Sequence, residues 1–210
     1  MKMPDLNLPG IRMPEEREQL QLFNELCKLL MSADTVRQLT DRAADLSAAI
    51  PELAPMVGFD QRSPHHAYDL YTHTACVVIG VPRDLTLRWA ALLHDIGKVP
   101  TFTRDETGRG HFYGHGPKGA QMAEEVLRRL KAPEDLRQQA VLLIAEHMTR
   151  LKPDRQQLSS QIHRLGMETV EQLLVLQEAD MRSKGTGKPS ELEVFDRIRE
   201  LLTALREEEE

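Results

Sequence analysis

The chain has 210 residues, with 33 acidic against 27 basic side chains, a formal charge of −6 and a sequence pI near 5.8. That balance argues against a general nucleic-acid scaffold, which would show a basic excess, and leaves room only for a local basic patch. Two cysteines, Cys27 and Cys76, provide neither a disulfide framework nor a Cys-x-x-Cys zinc motif, and are read as buried apolar thiols. No segment approaches the length of a membrane span and the N-terminus lacks a continuous apolar run, so the expected setting is a reducing cytoplasm.

Residues 1–14, with three prolines and a glycine, predict an irregular arm that docks through Leu6, Leu8 and Ile11. From Glu15 to Met31 the spacing predicts a helix, with Leu22, Leu26, Leu29 and Leu30 on one face and Phe23 beside them. Ser32-Ala33-Asp34 offers caps for a second helix, striped by Val36, Leu39, Ala43 and Leu46. Pro51 opens a short turn ending near Gly58, and residues 59–66 read as a loop.

A helix is expected over Tyr71–Ile79. Another starts at Pro82 and runs to Ile96, with Leu85, Trp89, Leu92 and Leu93 inward and Gly97 as its C-terminal cap. Between Pro100 and Pro117 four glycines and weak periodicity predict a loop, with a short hairpin at Thr103–Phe112. Lys118–Leu130 is helical, burying Met122, Ala123, Val126, Leu127 and Leu130. Pro133-Glu134-Asp135 starts a helix that lines up Ala140, Ile144 and His147. Further helices are expected at 154–164, 167–181 and 191–206. Ser183–Pro189 is a loop and Glu207–Glu209, with Glu210, a solvated acidic tail. With few alternating β-branched runs, the chain reads as all-α. No internal repeat or low-complexity linker divides residues 15–206.

Against this pattern some ionisable residues fall where a helix should bury carbon. His94 and Asp95 end the apolar Leu85–Ile96 segment, and a buried carboxylate without a partner is costly. Taken alone the pair fits an Asp bonded to loop backbone and a satisfied core histidine better than a ligand pair. His73 sits on the preceding helix and reads equally as a surface histidine. His115 lies between Gly114 and Gly116, which permit close backbone approach or simply a flexible loop. His147 extends an apolar stripe, as a buried bonded histidine would. Asp180 closes the Val170–Leu176 helix against the helix dipole.

Together, imidazole plus carboxylate without thiolate suits Mn²⁺, Fe²⁺, Mg²⁺, Ni²⁺ or Zn²⁺. One ion would take His73, His94, Asp95 and Asp180, and a second would take His115 and His147 with Asp95 bridging. Lys98, one turn past His94, is either a phosphate-neutralising cation or an exposed lysine.

These residues resemble the HD-domain metal-dependent phosphohydrolase superfamily, with its order His…His-Asp…Asp. The stretches Met56–Gln61, His66–Thr74, Arg88–Lys98, His111–Ala120 and Glu178-Ala179-Asp180 are similar to the HD domain carried by bacterial CCA-adding tRNA nucleotidyltransferases. The resemblance covers roughly residues 50–182 and implies an all-α helical bundle, here with a helical N-terminal extension. It implies first-metal roles for His73, His94, Asp95 and Asp180, and second-metal roles for His115 and His147.

The nucleotidyltransferase head of those enzymes, with its Gly-Ser motif and paired acids, has no counterpart in the short helical segment before residue 50. CCA addition is therefore not expected of this chain. The expected activity is hydrolysis of phosphomonoesters or phosphodiesters of nucleotides, including 2′,3′-cyclic phosphates and RNA 3′ ends. Asp95 would orient or deprotonate the attacking water. Lys98, with Arg104 or Lys118, would neutralise the substrate, and His111 and Tyr113 would form the pocket rim, with Tyr113 able to stack on a base. The same features admit a non-catalytic metal-containing nucleotide- or tRNA-binding module, and a dinucleoside or guanosine polyphosphate hydrolase.

Overall fold

The computed structural model describes residues 14–63, 67–185 and 189–209. The expected arm with Leu6, Leu8 and Ile11, and His66 of the second motif, lie outside them. The architecture is all-α apart from one two-stranded ribbon.

Helix α1 (Pro14–Ser32) starts on a proline, whose missing N–H costs nothing in a first turn, and buries Phe23, Leu26 and Leu30. The expected second helix is two: α2 (Val36–Thr40) and α3 (Ala43–Ala49). The cap is Thr35, not Ser32–Asp34. Its hydroxyl accepts from the Gln38 N–H while the Gln38 side chain accepts from the Thr35 N–H, so both orphan donors are satisfied. Leu39 and Leu46 still point inward across the break. A 3₁₀ turn follows at Pro51–Met56.

Helix α4 (Leu70–Gly80) is capped by Asp69 and is buried over most of its length. It packs against α5 (Leu85–Leu93) and α9 (Met167–Ser183). Helix α5 is shorter than expected at both ends. Asp84 accepts from the Leu87 N–H at 2.8 Å and sets the start, so Pro82 precedes the helix, and His94 is the C-terminal cap.

The expected hairpin is present as β1 (Thr103–Arg104) and β2 (Gly110–His111), antiparallel with Thr103 opposite His111. Helix α6 (His115–Arg129) begins three residues before the expected Lys118. Gly114 at φ +76° turns the chain into it, and Pro117 falls in the first turn, where no N–H is needed. Helices α7 (Glu134–Glu146), α8 (Arg155–Leu165) and α10 (Pro189–Glu209) complete the order. Residues 207–209 continue α10 instead of fraying, and Glu208 pairs with Arg155. Helix α7 packs on α5 and α6, and α8 and α10 pack on α9. Phe23 of α1 stacks on Trp89 of α5, ring centroids 5.5 Å apart, and the Trp89 indole N–H faces half-buried Cys27.

One buried cation ties the N-terminal helices to this bundle. Arg88 of α5 donates to the carbonyls of Leu30 at 3.3 Å, Ala33 at 3.1 Å and Pro82 at 3.1 Å. The first two lie at the C-terminal end of α1, where the helix dipole favours a cation and carbonyls lack helical partners. Arg88→Met keeps bulk and removes every donor. The expected loss is about 2–4 kcal/mol in urea unfolding, the scale of removing a charge from a buried bonded set. A loss below 0.5 kcal/mol, on the scale of surface substitutions, would count against this anchoring role.

Candidate metal centre

Four imidazoles converge on two carboxylates between α4, α5, α6, α7 and α9. His94 and His147 are the C-terminal caps of α5 and α7, and His115 opens α6. In each, Nδ1 lies against the carbonyl three residues earlier: Ala91 at 2.8 Å, Ile144 at 2.6 Å and Phe112 at 2.8 Å. His73 on α4 places Nδ1 3.3 Å from the carbonyl of Ser183, the last residue of α9. A carbonyl only accepts, so Nδ1 carries the proton and the neutral ring keeps its lone pair on Nε2. All four Nε2 atoms face the centre. This is how metal-binding histidines are usually oriented, by a backbone partner on the other nitrogen.

Asp95, 2 % exposed, divides its oxygens between two histidine pairs. Oδ2 is 3.1 Å from His94 Nε2 and 3.6 Å from His73 Nε2, whereas Oδ1 is 3.5 Å from His115 Nε2 and 3.8 Å from His147 Nε2. Asp180 of α9 joins the first pair, its Oδ1 3.1 Å from His73 and 4.0 Å from His94. Among the described residues two donor groups are tight enough to hold an ion, His73–His94–Asp95 and Asp95–His115–His147.

Lys98 lies 2.7 Å from Asp95 Oδ2, donates to Gln61 at 2.9 Å and sits over the Phe112 ring. It is a buried counter-charge to Asp95, not an exposed lysine.

Gly97 makes the second group possible, by closeness and not by a left-handed cap. A Cβ there would lie 2.6 Å from the Gly119 nitrogen and closer still to the His115 carbonyl oxygen. Its absence lets the start of α6 press onto the His-Asp turn.

The donors fit a divalent cation. Neither thiol takes part, so the set is imidazole nitrogen and carboxylate oxygen, suited to intermediate and hard ions. His94 Nε2 is buried without a hydrogen bond of good geometry, and Asp95 Oδ2, buried likewise, has the Lys98 ion pair. Leaving such an atom unsatisfied costs about 1–3 kcal/mol, which coordination would offset. His115 and His147 bring two Nε2 atoms within 3.1 Å, yet burial holds both rings below the usual imidazole range, His147 at about 4. A cation between or beside these two lone pairs would relieve their repulsion.

A cavity of about 440 Å³ opens onto this centre. Asp95, Lys98, His115, His147 and Asp180 form its floor, and His111, Tyr113 and Arg109 stand on one side. His111 and Tyr113 stack face to face, 5.3 Å apart and 6° from parallel, and Asp105 holds the His111 ring at 2.8 Å. Arg104 and Lys118 are not in the walls. The Arg104 guanidinium lies over Phe102, and Lys118 reaches Gln121. Arg109, Gln61, Met148 and Lys184 were not anticipated. Lys184 had a readable signal, four residues past Asp180 on one helix face, and it pairs with Asp180 at 3.1 Å.

The sequence profile of the HD domain matches residues 66–184. The chain belongs to the HD domain family. It is similar to the A-adding tRNA nucleotidyltransferase of Deinococcus radiodurans, 37 % identical over 180 residues, covering 82 % of this chain and 41 % of the relative. Similarity to the CC-adding tRNA nucleotidyltransferase of Thermus thermophilus is 32 % over 186 residues, 85 % of this chain and 42 % of the relative. The Multifunctional CCA protein of an Azoarcus species is 37 % identical over 134 residues, 60 % of this chain and 32 % of its own length. The chain thus spans less than half the length of these relatives.

Charge in the HD centre is unevenly distributed. Burial opposes ionisation of Asp95 and Asp180, but His94, Lys98 and His73 for one, and His73 and Lys184 for the other, hold both carboxyls well below their usual range. Burial likewise works against a charged His94, yet Asp95 and then Asp180 raise its pKa above the ordinary imidazole value. Among the described residues no helix is long and apolar enough to cross a membrane.

Two outcomes follow from this geometry. A cation at His73–His94–Asp95 competes with protons for His94 Nε2, and the raised pKa of that ring strengthens the competition. Metal titration calorimetry in two buffers of different ionisation enthalpy should show net proton release at pH 7 and weaker affinity as pH falls. Identical heats in both buffers would contradict it. Gly97→Ala should cost about 1–3 kcal/mol, the scale of overpacking, and weaken metal binding at His115–His147 more than at His73–His94. Equal weakening of both would show that Gly97 does not set the approach of α6.

Proposed function

We propose that this HD protein is a metal-dependent phosphohydrolase acting on phosphomonoesters or phosphodiesters of nucleotides, including 2′,3′-cyclic nucleotides and RNA 3′ ends. The observation that carries the reading is the convergence of four Nε2 atoms and two carboxylates at the floor of a cavity whose side wall is a stacked His111–Tyr113 pair. His73, His94, Asp95 and Asp180 would hold one divalent ion, and His115 and His147, sharing Asp95, a second. Such ions would supply Lewis acidity at a phosphoryl oxygen and acidify a nearby water.

The side chains do the rest. Asp95 orients the attacking water and takes its proton. Lys98, buried against Asp95, moderates that carboxylate's charge and places a cation at the cavity floor for phosphate. Arg109 adds a second cation on the Tyr113 side. Tyr113, 79 % exposed, offers its free face to a base.

The relatives' names support a second reading, a metal-containing tRNA-binding module that works with a nucleotidyltransferase. Protein loaded with Mn²⁺, Ni²⁺, Fe²⁺ or Mg²⁺ and assayed on p-nitrophenyl phosphate esters and cyclic nucleotides separates the two. Turnover is expected, and its absence with every metal would select the binding module. Asp95→Ala should abolish metal content and turnover while helicity stays near wild type, and full activity in that variant would refute the assignment. His147→Ala should lose one of two bound ions, and unchanged metal content would point to a single-ion site.

A further inference from the structure

A second cavity, about 490 Å³, lies on the far side of the same centre. Its walls are Arg150, Leu151, Gln177, Met181, Val194 and Phe195, from the segment after α7 and from α9 and α10. It shares His147, Met148, Asp180 and Lys184 with the first cavity, so the two meet at the metal-binding side chains. Both volumes fall in the range of small-molecule sites, about 300–1,000 Å³. Gln177 in the second cavity's wall holds the segment after α7, its side-chain amide donating to the carbonyls of His147 at 3.0 Å and Thr149 at 2.6 Å.

The two lobes are built alike. Each has apolar lining for a planar or sugar group, the exposed Tyr113 ring in one and half-buried Val194 with the edge of buried Phe195 in the other. Each also carries one arginine, Arg109 and Arg150 respectively. Tyr113 and Met148 are among the large apolar side chains left exposed, at 79 % and 62 %, and both border the metal-binding floor. A phosphomonoester has a substituent on one side of phosphorus and would use one lobe. A diester has a substituent on each side.

Resting on the hydrolase reading above, we propose that the preferred substrate is a 3′,5′-phosphodiester joining two nucleosides, with one base on Tyr113 and the second nucleoside in the lobe of Val194, Phe195 and Arg150. In its hydrolysis the water oxygen bonds to phosphorus and the bond from phosphorus to the leaving ribose oxygen breaks. That oxygen takes one proton and departs as a nucleoside hydroxyl. The other water proton stays with the phosphomonoester product or passes to solvent. A free dinucleotide and the terminal linkage of an RNA 3′ end present this same chemistry.

The test compares Mn²⁺-loaded wild type and Val194→Trp on a dinucleoside monophosphate, the matching mononucleotide, p-nitrophenyl phosphate and a short single-stranded RNA. Wild type should favour the dinucleoside monophosphate over the mononucleotide in kcat/KM by roughly tenfold or more, the effect of one additional stacked nucleoside. Val194→Trp, which fills the second lobe, should cut the ratio of dinucleotide to p-nitrophenyl phosphate kcat/KM by roughly tenfold, mainly through KM. Arg150→Ala, an exposed change without folding risk, should lower the same ratio. Release of single nucleotides from the RNA would assign the polymer as a source, and cleavage of the free dinucleotide alone the small molecule.

Equal rates on mono- and dinucleotide, or unchanged ratios in both variants, would overturn the proposal. If no substrate turns over, the hydrolase reading fails by itself. Calorimetry of the metal-loaded protein then decides the two-lobed site: tighter binding of the dinucleotide, lost in Val194→Trp, sustains it, and equal binding of mono- and dinucleotide rejects it.

Discussion

The structure turns on the Asp95 carboxylate, an anion at the meeting point of five helices with 2 % of its surface exposed. An isolated buried charge costs many kcal/mol, so its neighbours must compensate for it. Lys98 at 2.7 Å supplies positive charge on the Oδ2 side, whereas among the described residues Oδ1 faces the rings of His115 and His147, which burial holds neutral. The fold therefore holds an anion compensated unevenly, with four lone pairs aimed at it. That imbalance fits the centre to a cation better than to a merely polar core.

Helix ends, more than helix faces, build the centre. A helix terminates with carbonyls that lack partners, and an imidazole three residues past such a carbonyl can satisfy it through Nδ1. His94 and His147 do this at the ends of α5 and α7, and His73 borrows the last carbonyl of α9. One bond thus caps a helix, sets the tautomer and aims Nε2. Because the ring positions are fixed by backbone, loosening a helix end would move a ligand atom directly.

Much of this could be read from the chain alone. Apolar spacing placed nearly every helix, and ionisable residues at the ends of apolar runs marked His94–Asp95, His147 and Asp180. The misses have local physical causes. A capping box at Thr35 and Gln38 set the start of the expected second helix, a break at Asp41–Arg42 divided it, and the Asp84 cap trimmed α5. His115 looked like a loop residue between glycines, but only the packed structure shows that Gly114 turns the chain and that Gly97, far away in sequence, gives α6 room to begin there. Gln61 lies in the Met56–Gln61 motif, but its bond to Lys98, like the place of Arg109 in the cavity wall, comes from contacts between distant segments. Arg104 and Lys118 flank the centre in sequence, but aromatic stacking and helix-face bonding take them elsewhere.

The two halves of the centre differ in ways that bear on how they would fill. The His73–His94 half has two carboxylates, Asp95 and Asp180, but the raised pKa of His94 strengthens proton competition with metal there. The His115–His147 half has lone pairs free at neutral pH but only a share of Asp95. A cation in either half draws on the same carboxylate, so each weakens the electrostatic attraction the other feels, and that coupling is reciprocal. Lys98 bears on this balance, since it neutralises Asp95 from the Oδ2 side and is held in place by Gln61. An HD centre arranged this way would bind its first ion through two carboxylates, in competition with protons at His94. Its second would be held through nitrogen, more weakly and with less dependence on pH.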